Sequence, residues 1–308
     1  MSLPSPPADR SPAELLSFGV VNLDKPPGPS SHEVADWVRE LVSERLERAG
    51  VDTRIDRVAH AGTLDPKVTG SLPLLLGTAT RLAQVFDDSD KEYVAVLELH
   101  GPAPSDFEAI LSEFEGDIHQ KPPRKSAVRR RLRVRRIHDL DVLERQERQV
   151  LFRVRCEAGT YVRKLCHDLG LALGTGAHMG DLRRTATGPF DDTDLVTMET
   201  LADALAFWTE DGDEGPLREV VQPAERALVA LPRVTIAPSA AREVANGAPV
   251  YAPGVLDVAP PEADGTPPEK GALVACYTPE GAAVCLGRLV GDIDADSGTA
   301  VELERVLV

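Results

Sequence analysis

Lysine is scarce in this chain: it occurs only at positions 25, 67, 91, 121, 125, 164 and 270, so arginine carries most of the positive charge. Acidic residues outnumber basic ones by 50 to 34, for a formal net charge of −16. An acidic, lysine-poor chain is expected to work in high salt, where counterions screen its self-repulsion. No run of about 18 apolar residues occurs, so no membrane span is expected. Cysteine is limited to Cys156, Cys166, Cys276 and Cys285, with no C-x-x-C spacing. That argues against a zinc site and fits a reducing, cytoplasmic setting. Cys166 and His167 are adjacent, and neighbours on a helix diverge, so the reading is a buried thiol beside an outward imidazole. The first twelve residues hold four prolines and no apolar h-region. Residues 1–15 are therefore expected to be a disordered tail rather than a secretory signal. No internal repeat is present.

What the chain does have is two textures. Up to about residue 230 it alternates strand-like and helix-like patterns. Leu15 to Leu23 reads as a first strand. Ser30 and Glu33 have capping-box spacing ahead of a helical stripe of Val34, Val38, Leu41, Val42 and Leu46, which Gly50 ends. Lys91 to Leu99 reads as a buried strand, and Ser105 with Glu108 suggests a second capping box. Val150, Phe152, Val154 and Cys156 alternate as in a half-buried strand. Val162, Leu165, Cys166, Leu169 and Leu173 then form a helical core stripe that turns Arg163 and His167 elsewhere. After Leu231-Pro232 short apolar segments punctuated by Gly and Pro predict a small β-barrel over 231–308.

Two stretches carry chemistry. In His60-Ala61-Gly62-Thr63-Leu64-Asp65-Pro66, the proline locks an aspartate out of helical geometry. Alone this reads as a surface turn. From Lys121 to Arg136 there are nine basic residues and no acid. In extended form Arg131, Arg133 and Arg135 share one face and Leu132 and Val134 the other, at about 6.6 Å per same-face step, a spacing suited to phosphates. A cationic block inside an acidic chain is read as a polyanion contact through Lys125, Arg129, Arg131, Arg133 and Arg135.

Five motifs then occur in one order: Asp24-Lys25-Pro26 with Ser30-Ser31-His32, His60 to Pro66, Lys91-Glu92-Tyr93, Gly159-Thr160-Tyr161-Val162-Arg163, and Leu182-Arg183-Arg184-Thr185. Together they resemble the TruB-type pseudouridine synthases, over roughly residues 16 to 308. Pro122 to Arg133 resembles the archaeal and eukaryotic dyskerin-like branch, the catalytic subunit of box H/ACA ribonucleoproteins. Leu231-Pro232-Arg233 with Tyr251 to Gly254 looks like the start of a PUA domain. The resemblance implies an α+β catalytic domain with a central, mostly antiparallel sheet (16–230), and a C-terminal PUA barrel that binds RNA (231–308). It implies isomerisation of uridine to pseudouridine, in ribosomal RNA under a box H/ACA guide RNA and also in tRNA, with no cofactor or metal.

Residue by residue, the resemblance makes Asp65 the catalytic carboxylate, acting on an electron-deficient C1′. Arg163 is the cation expected to hold it ionised. Tyr93 stacks on the target base. Tyr161 and Leu182 wall the pocket, and His60 contacts the extruded nucleotide. Lys25 braces the loop or contacts phosphate; both readings stand at this point. The implied partners are guide and substrate RNA, a zinc-ribbon-like protein, a small β-barrel protein and a kink-turn-binding protein. Two alternatives follow from the same residues: a stand-alone tRNA pseudouridine synthase, and a non-catalytic RNA-binding scaffold. An assay for pseudouridine on naked and guide-assembled RNA separates all three.

Overall fold

The computed structural model describes residues 3–122, 129–261 and 265–308. Strands β1 (Gly19–Lys25), β2 (Val58–His60), β3 (Thr69–Leu76), β4 (Lys91–Leu99), β5 (Gly116–Gln120), β6 (Arg133–Arg145), β7 (Gln149–Cys156), β8 (Ala177–Thr187) and β9 (Gln222–Pro223) build one nine-stranded sheet. Its order is β5-β6-β7-β4-β8-β3-β1-β9, with β2 paired to β3. Every pairing is antiparallel except that of β3 with β8. Strands β10 (Arg233–Ile236), β11 (Val250–Tyr251), β12 (Val255–Ala259), β13 (Leu273–Tyr277), β14 (Ala283–Leu289) and β15 (Thr299–Val306) form a second sheet of six. The fold is α+β, with one mostly antiparallel sheet and a small C-terminal β unit.

Among the described residues seven α-helices flank the sheets: α1 (Pro12–Ser17), α2 (Ser31–Arg48), α3 (Phe107–Ser112), α4 (Val162–Ala172), α5 (Met198–Ala206), α6 (Gly215–Val220) and α7 (Pro238–Ala245). Two apolar cores divide the first sheet. Residues of α2, α5 and α6 pack with Val21 and Leu23 of β1 and Leu72, Leu74 and Leu76 of β3. Residues of α3 and α4 pack with Ala95 and Leu97 of β4 and Val150, Phe152 and Val154 of β7. Tyr93 and Leu182 lie against both cores, so they mark the seam between the halves. A third core joins the sheets, from Val20 and Leu75 to Ala275 and Leu286.

Local sequence explains much of this. The Ser30–Glu33 capping box forms, with both reciprocal bonds, and Val34, Val38, Val42 and Leu46 are buried below it. The stripe on α4 is buried as its spacing predicts, and Cys166 lies inside it with its thiol pushed up to about 12 by burial. Three expectations fail. Residues 3–15 are not a free tail: Ser11 and Glu14 form a capping box for α1, Leu15 and Leu16 are buried, and Arg10 is buried on Glu225. The first strand consequently starts at Gly19, because Leu15 and Leu16 belong to a helix. Ser105 caps nothing; α3 begins after Asp106, whose side chain makes no cap bond.

Candidate active site

The loop from Ala61 to Val68 lies between β2 and β3 and is held by buried groups rather than by its own turn alone. Ser31, in the first turn of α2, accepts the Leu64 N–H at 2.8 Å and donates to the Leu64 carbonyl at 3.1 Å. Lys25, at the end of β1, is 0% exposed. Its Nζ donates to the carbonyls of Pro26 (2.9 Å), Pro66 (3.0 Å) and Val68 (2.9 Å). Burial lowers the pKa of this ammonium, and the nearby Asp65 charge works against that shift. A side chain with no solvent exposure cannot reach a phosphate, so Lys25 braces the loop. The Val68 N–H closes the turn on the Asp65 carbonyl at 2.9 Å. Gly70 follows at φ 99°, where a Cβ would stand 2.1 Å from the Arg184 carbonyl. Only glycine lets β3 begin that close to β8.

Held in this way, Asp65 faces Arg163, whose Nη2 donates to its Oδ2. Asp65 belongs to the half of the sheet under α2, and Arg163 stands on α4 over the other half, so the pair spans the seam. Both side chains remain about half exposed, 55% and 51%, which leaves them open to a ligand from solvent. Tyr93 on β4 and Leu182 on β8 form the seam's floor. Burial pushes the Tyr93 phenol above its ordinary range, and the hydrogen-bonded Arg184 guanidinium pulls the other way.

Arg184 is a site residue that sequence reasoning passed over. It is 1% exposed, and donates from Nε to the Ser71 carbonyl (2.8 Å) and from Nη2 to the Gly62 carbonyl (3.1 Å). The available signal was the Arg183-Arg184 pair on one strand: alternation sends them to opposite faces. Arg183 accordingly forks onto Asp24 at 2.9 and 3.0 Å. His60, half-buried at the end of β2, lies near this centre. Burial first, then the charges of Arg184 and His32, hold its imidazole below the ordinary value. Its Nδ1 is buried with no partner among the described residues. Tyr161 precedes α4 and is half-buried beside Arg163.

The basic strand is less uniform than alternation predicts. Leu132 and Val134 face solvent, while Arg133 and Arg135 lie half-buried against the molecule. Arg133 stands opposite Gln120 on β5. Arg135 covers Gly159 and approaches Glu157 at 3.5 Å. Arg136 pairs with Asp117 at 3.4 Å. Arg129, Arg131 and Arg133 pair with no carboxylate among the described residues. Lys125 lies outside the described residues. No cluster of three or more metal-ligating side chains occurs among the described residues, and none of their helices is long and apolar enough to cross a membrane.

The chain matches the TruB family pseudouridylate synthase N-terminal domain over residues 51–106 and 101–162. It matches the tRNA pseudouridylate synthase B C-terminal domain over 163–229, and the DKCLD (NUC011) domain over 2–35. A probable tRNA pseudouridine synthase B from Haloarcula marismortui is 65% identical over 308 residues, spanning 100% of this chain and 94% of its own. Another so named, from Halobacterium salinarum, is 62% identical over 315 residues and covers 100% of both chains. Among solved structures, Cbf5 in a Cbf5-Nop10-Gar1 complex matches with TM-score 0.89 and 43% identity, over 100% of this chain and 90% of that one. A chain of an H/ACA RNP bound to a substrate RNA containing 2′-deoxyuridine matches with TM-score 0.87 and 41% identity, over 98% of this chain and 89% of that one. Fold and family matches therefore define an RNA-modifying isomerase. The chain belongs to the TruB family of pseudouridylate synthases, which convert uridine in RNA to pseudouridine.

Proposed function

We propose that this enzyme isomerises uridine within a guide-assembled box H/ACA ribonucleoprotein, with Asp65 as its catalytic carboxylate. The observation that carries the reading is the solvent-open Asp65–Arg163 pair set over the Tyr93 seam. In the reaction the N1–C1′ bond breaks and a C5–C1′ bond forms; C5 gives up a proton and N1 gains one. Asp65 engages C1′ as it becomes electron-deficient, and Arg163 holds the carboxylate in place. Tyr93 and Leu182 receive the extruded base, while Tyr161 and His60 flank the nucleotide.

Arg129, Arg131 and Arg133 carry charge that no described carboxylate neutralises, which suits them to RNA phosphates; Lys125 completes the same segment. Residues 16–230 form the catalytic domain and residues 231–308 a PUA domain that grips RNA. The guided reading is supported by the 43% and 41% identities to proteins solved in H/ACA assemblies, over nearly the whole chain. By that likeness the partners are a guide RNA and small proteins of the Nop10 and Gar1 kinds, with a kink-turn-binding protein completing the set. Ribosomal RNA is the guided substrate. The relatives' name favours a second substrate, tRNA, handled without a guide.

Pseudouridine formation by the purified chain decides between these. Activity only on guide-assembled RNA with the small proteins present supports the first reading, and equal activity on a naked tRNA stem-loop supports the second. Asp65→Asn is expected to abolish product while leaving RNA affinity nearly intact. Turnover near wild type would remove Asp65 from the mechanism.

A further inference from the structure

Arg163 is the second residue of α4, yet that helix does little to secure its own first turn. Its N-cap residue is Tyr161, which provides no side-chain cap bond, and no acid stands in the first turn. Ser, Thr, Asp or Asn ordinarily fills this place and satisfies a free N–H of the first turn. Here support comes from the last residue of β5. Gln120 is 2% exposed. Its Oε1 accepts the Tyr161 N–H at 2.9 Å and its Nε2 donates to the Tyr161 carbonyl at 3.3 Å. That same carbonyl takes the first bonds of the helix, from the Lys164 and Leu165 N–H groups at 2.9 Å each. One carboxamide thus grips both polar atoms of the backbone unit from which α4 starts, two residues before Arg163.

The loop ahead of Tyr161 is tied to the neighbouring strand as well. The Arg136 N–H donates to the Glu157 carboxylate at 3.1 Å, and the Glu157 N–H donates to the Arg136 carbonyl at 2.9 Å. Thr160 closes the turn on the Glu157 carbonyl at 2.7 Å. These bonds fix where the loop begins. Gln120 fixes where it ends and in what orientation the helix departs.

We propose that Gln120 is a positioning residue for catalysis, holding the first turn of α4 so that the Arg163 guanidinium meets the Asp65 carboxylate. The inference rests on the assignment of that pair as the reacting centre. Arg163 is half exposed and its partner sits on another element, so the helix start and the ion pair together bear on where the guanidinium stands. Small displacements at such a place cost rate without costing RNA contacts made elsewhere.

The test uses the full chain in whichever RNA assembly supports wild-type turnover, with Gln120→Ala and the near-isosteric Gln120→Glu. Under saturating RNA, Q120A is expected to slow single-turnover isomerisation about 10- to 100-fold, with RNA affinity unchanged. Q120E adds a readout that loss of packing does not produce. Its ionised carboxylate still accepts the Tyr161 N–H but faces the Tyr161 carbonyl without a proton. Protonated, it donates to that carbonyl and restores both bonds; burial raises its pKa toward the working range. The Q120E to wild-type rate ratio should therefore climb as pH falls from about 8 to about 5.5. Taking the ratio cancels the pH dependence of the chemistry itself. A Q120A rate within about twofold of wild type, or a flat Q120E ratio, overturns the proposal. If Q120A fails to fold, the Q120E ratio decides. If Asp65→Asn keeps wild-type turnover, the assignment of Asp65 fails separately, and amide exchange judges the clamp: faster exchange over residues 161–165 in the Gln120 variants supports it, and unchanged exchange overturns it.

Discussion

Replacing Lys25 with methionine should loosen the Asp65 loop from beneath without touching RNA. Lys25 is fully buried, and its ammonium is shared among the carbonyls of Pro26, Pro66 and Val68. Methionine has similar length and fills the space, but donates nothing. Of the three acceptors, the Pro66 carbonyl keeps a second donor, the Gly28 N–H at 2.8 Å. Pro26 is exposed, so water can take the place of the ammonium there, whereas the buried Val68 carbonyl loses the donor that reaches it, at about 1–3 kcal/mol. Against this, removing an ammonium whose pKa burial lowers recovers part of its desolvation cost. The balance is a loss of about 1–2 kcal/mol. Denaturant unfolding of K25M and wild type in concentrated KCl measures it. Single-turnover rates should fall by more than about tenfold, since the loop that presents Asp65 is no longer pinned, with RNA affinity unchanged. A variant within about 0.5 kcal/mol of wild type, which is the range of an ordinary surface substitution, would refute the bracing argument. Lost RNA affinity with intact stability would refute it too.

Lys91 is 7% exposed and donates to the Phe86 and Ser89 carbonyls at 2.6 and 2.7 Å. Burial above all, then Arg184, brings its pKa from 10.5 down to about 8. The unfolded chain then binds more protons than the folded one between those values, so stability from this group rises with pH across that window. Relative to Lys91→Met, wild-type stability should gain up to about 3 kcal/mol over it; parallel profiles in denaturant titrations would count against the reasoning. Arg10 pairs with Glu225 at 2.7 and 2.6 Å, and Glu225 also accepts the Ala283 N–H at 3.0 Å. Arg10→Met should cost about 3–5 kcal/mol by stranding that carboxylate, and adding Glu225→Gln should recover part of it. Arg131→Gln with Arg133→Gln should flatten the salt dependence of RNA binding by about two units of log–log slope. Arg135→Gln, whose guanidinium lies against Glu157, should change it less; equal effects would place all three on RNA.

Several parts of the site were readable in advance because their signals are local. A serine three residues before a glutamate, ahead of a 3.6-residue apolar stripe, predicts the start of α2 wherever the helix packs. Period-two alternation places Phe152 and Val154 inward on β7, and the α4 stripe turns Arg163 out of the core. The same kind of signal, Ser11 with Glu14, stands in the first fifteen residues, where the reading of a tail rests on proline content alone. Alternation on β6 separates Arg133 and Arg135 from Val134, but does not say which face is covered, and Arg131 and Leu132 precede the strand, both exposed. The loop carrying Glu157 and Gly159 packs on the arginine side, and so leaves Val134 in solvent.

The sequence by itself determined the ordered set of motifs, the start of α2 and the inward stripes of α2, β7 and α4, since each depends on neighbours a few positions away. Only the tertiary structure decided that Asp65 meets Arg163, 98 positions along the chain. It also decided that Lys25 is sealed from phosphate, that Arg184 hydrogen-bonds Tyr93, and that Gln120 holds the start of α4. The Asp65–Arg163 pair depends on how two halves of one sheet, each with its own apolar core, meet at a seam. No local period encodes that meeting, because it is set by burial summed over both cores and by buried polar groups that must find partners across it.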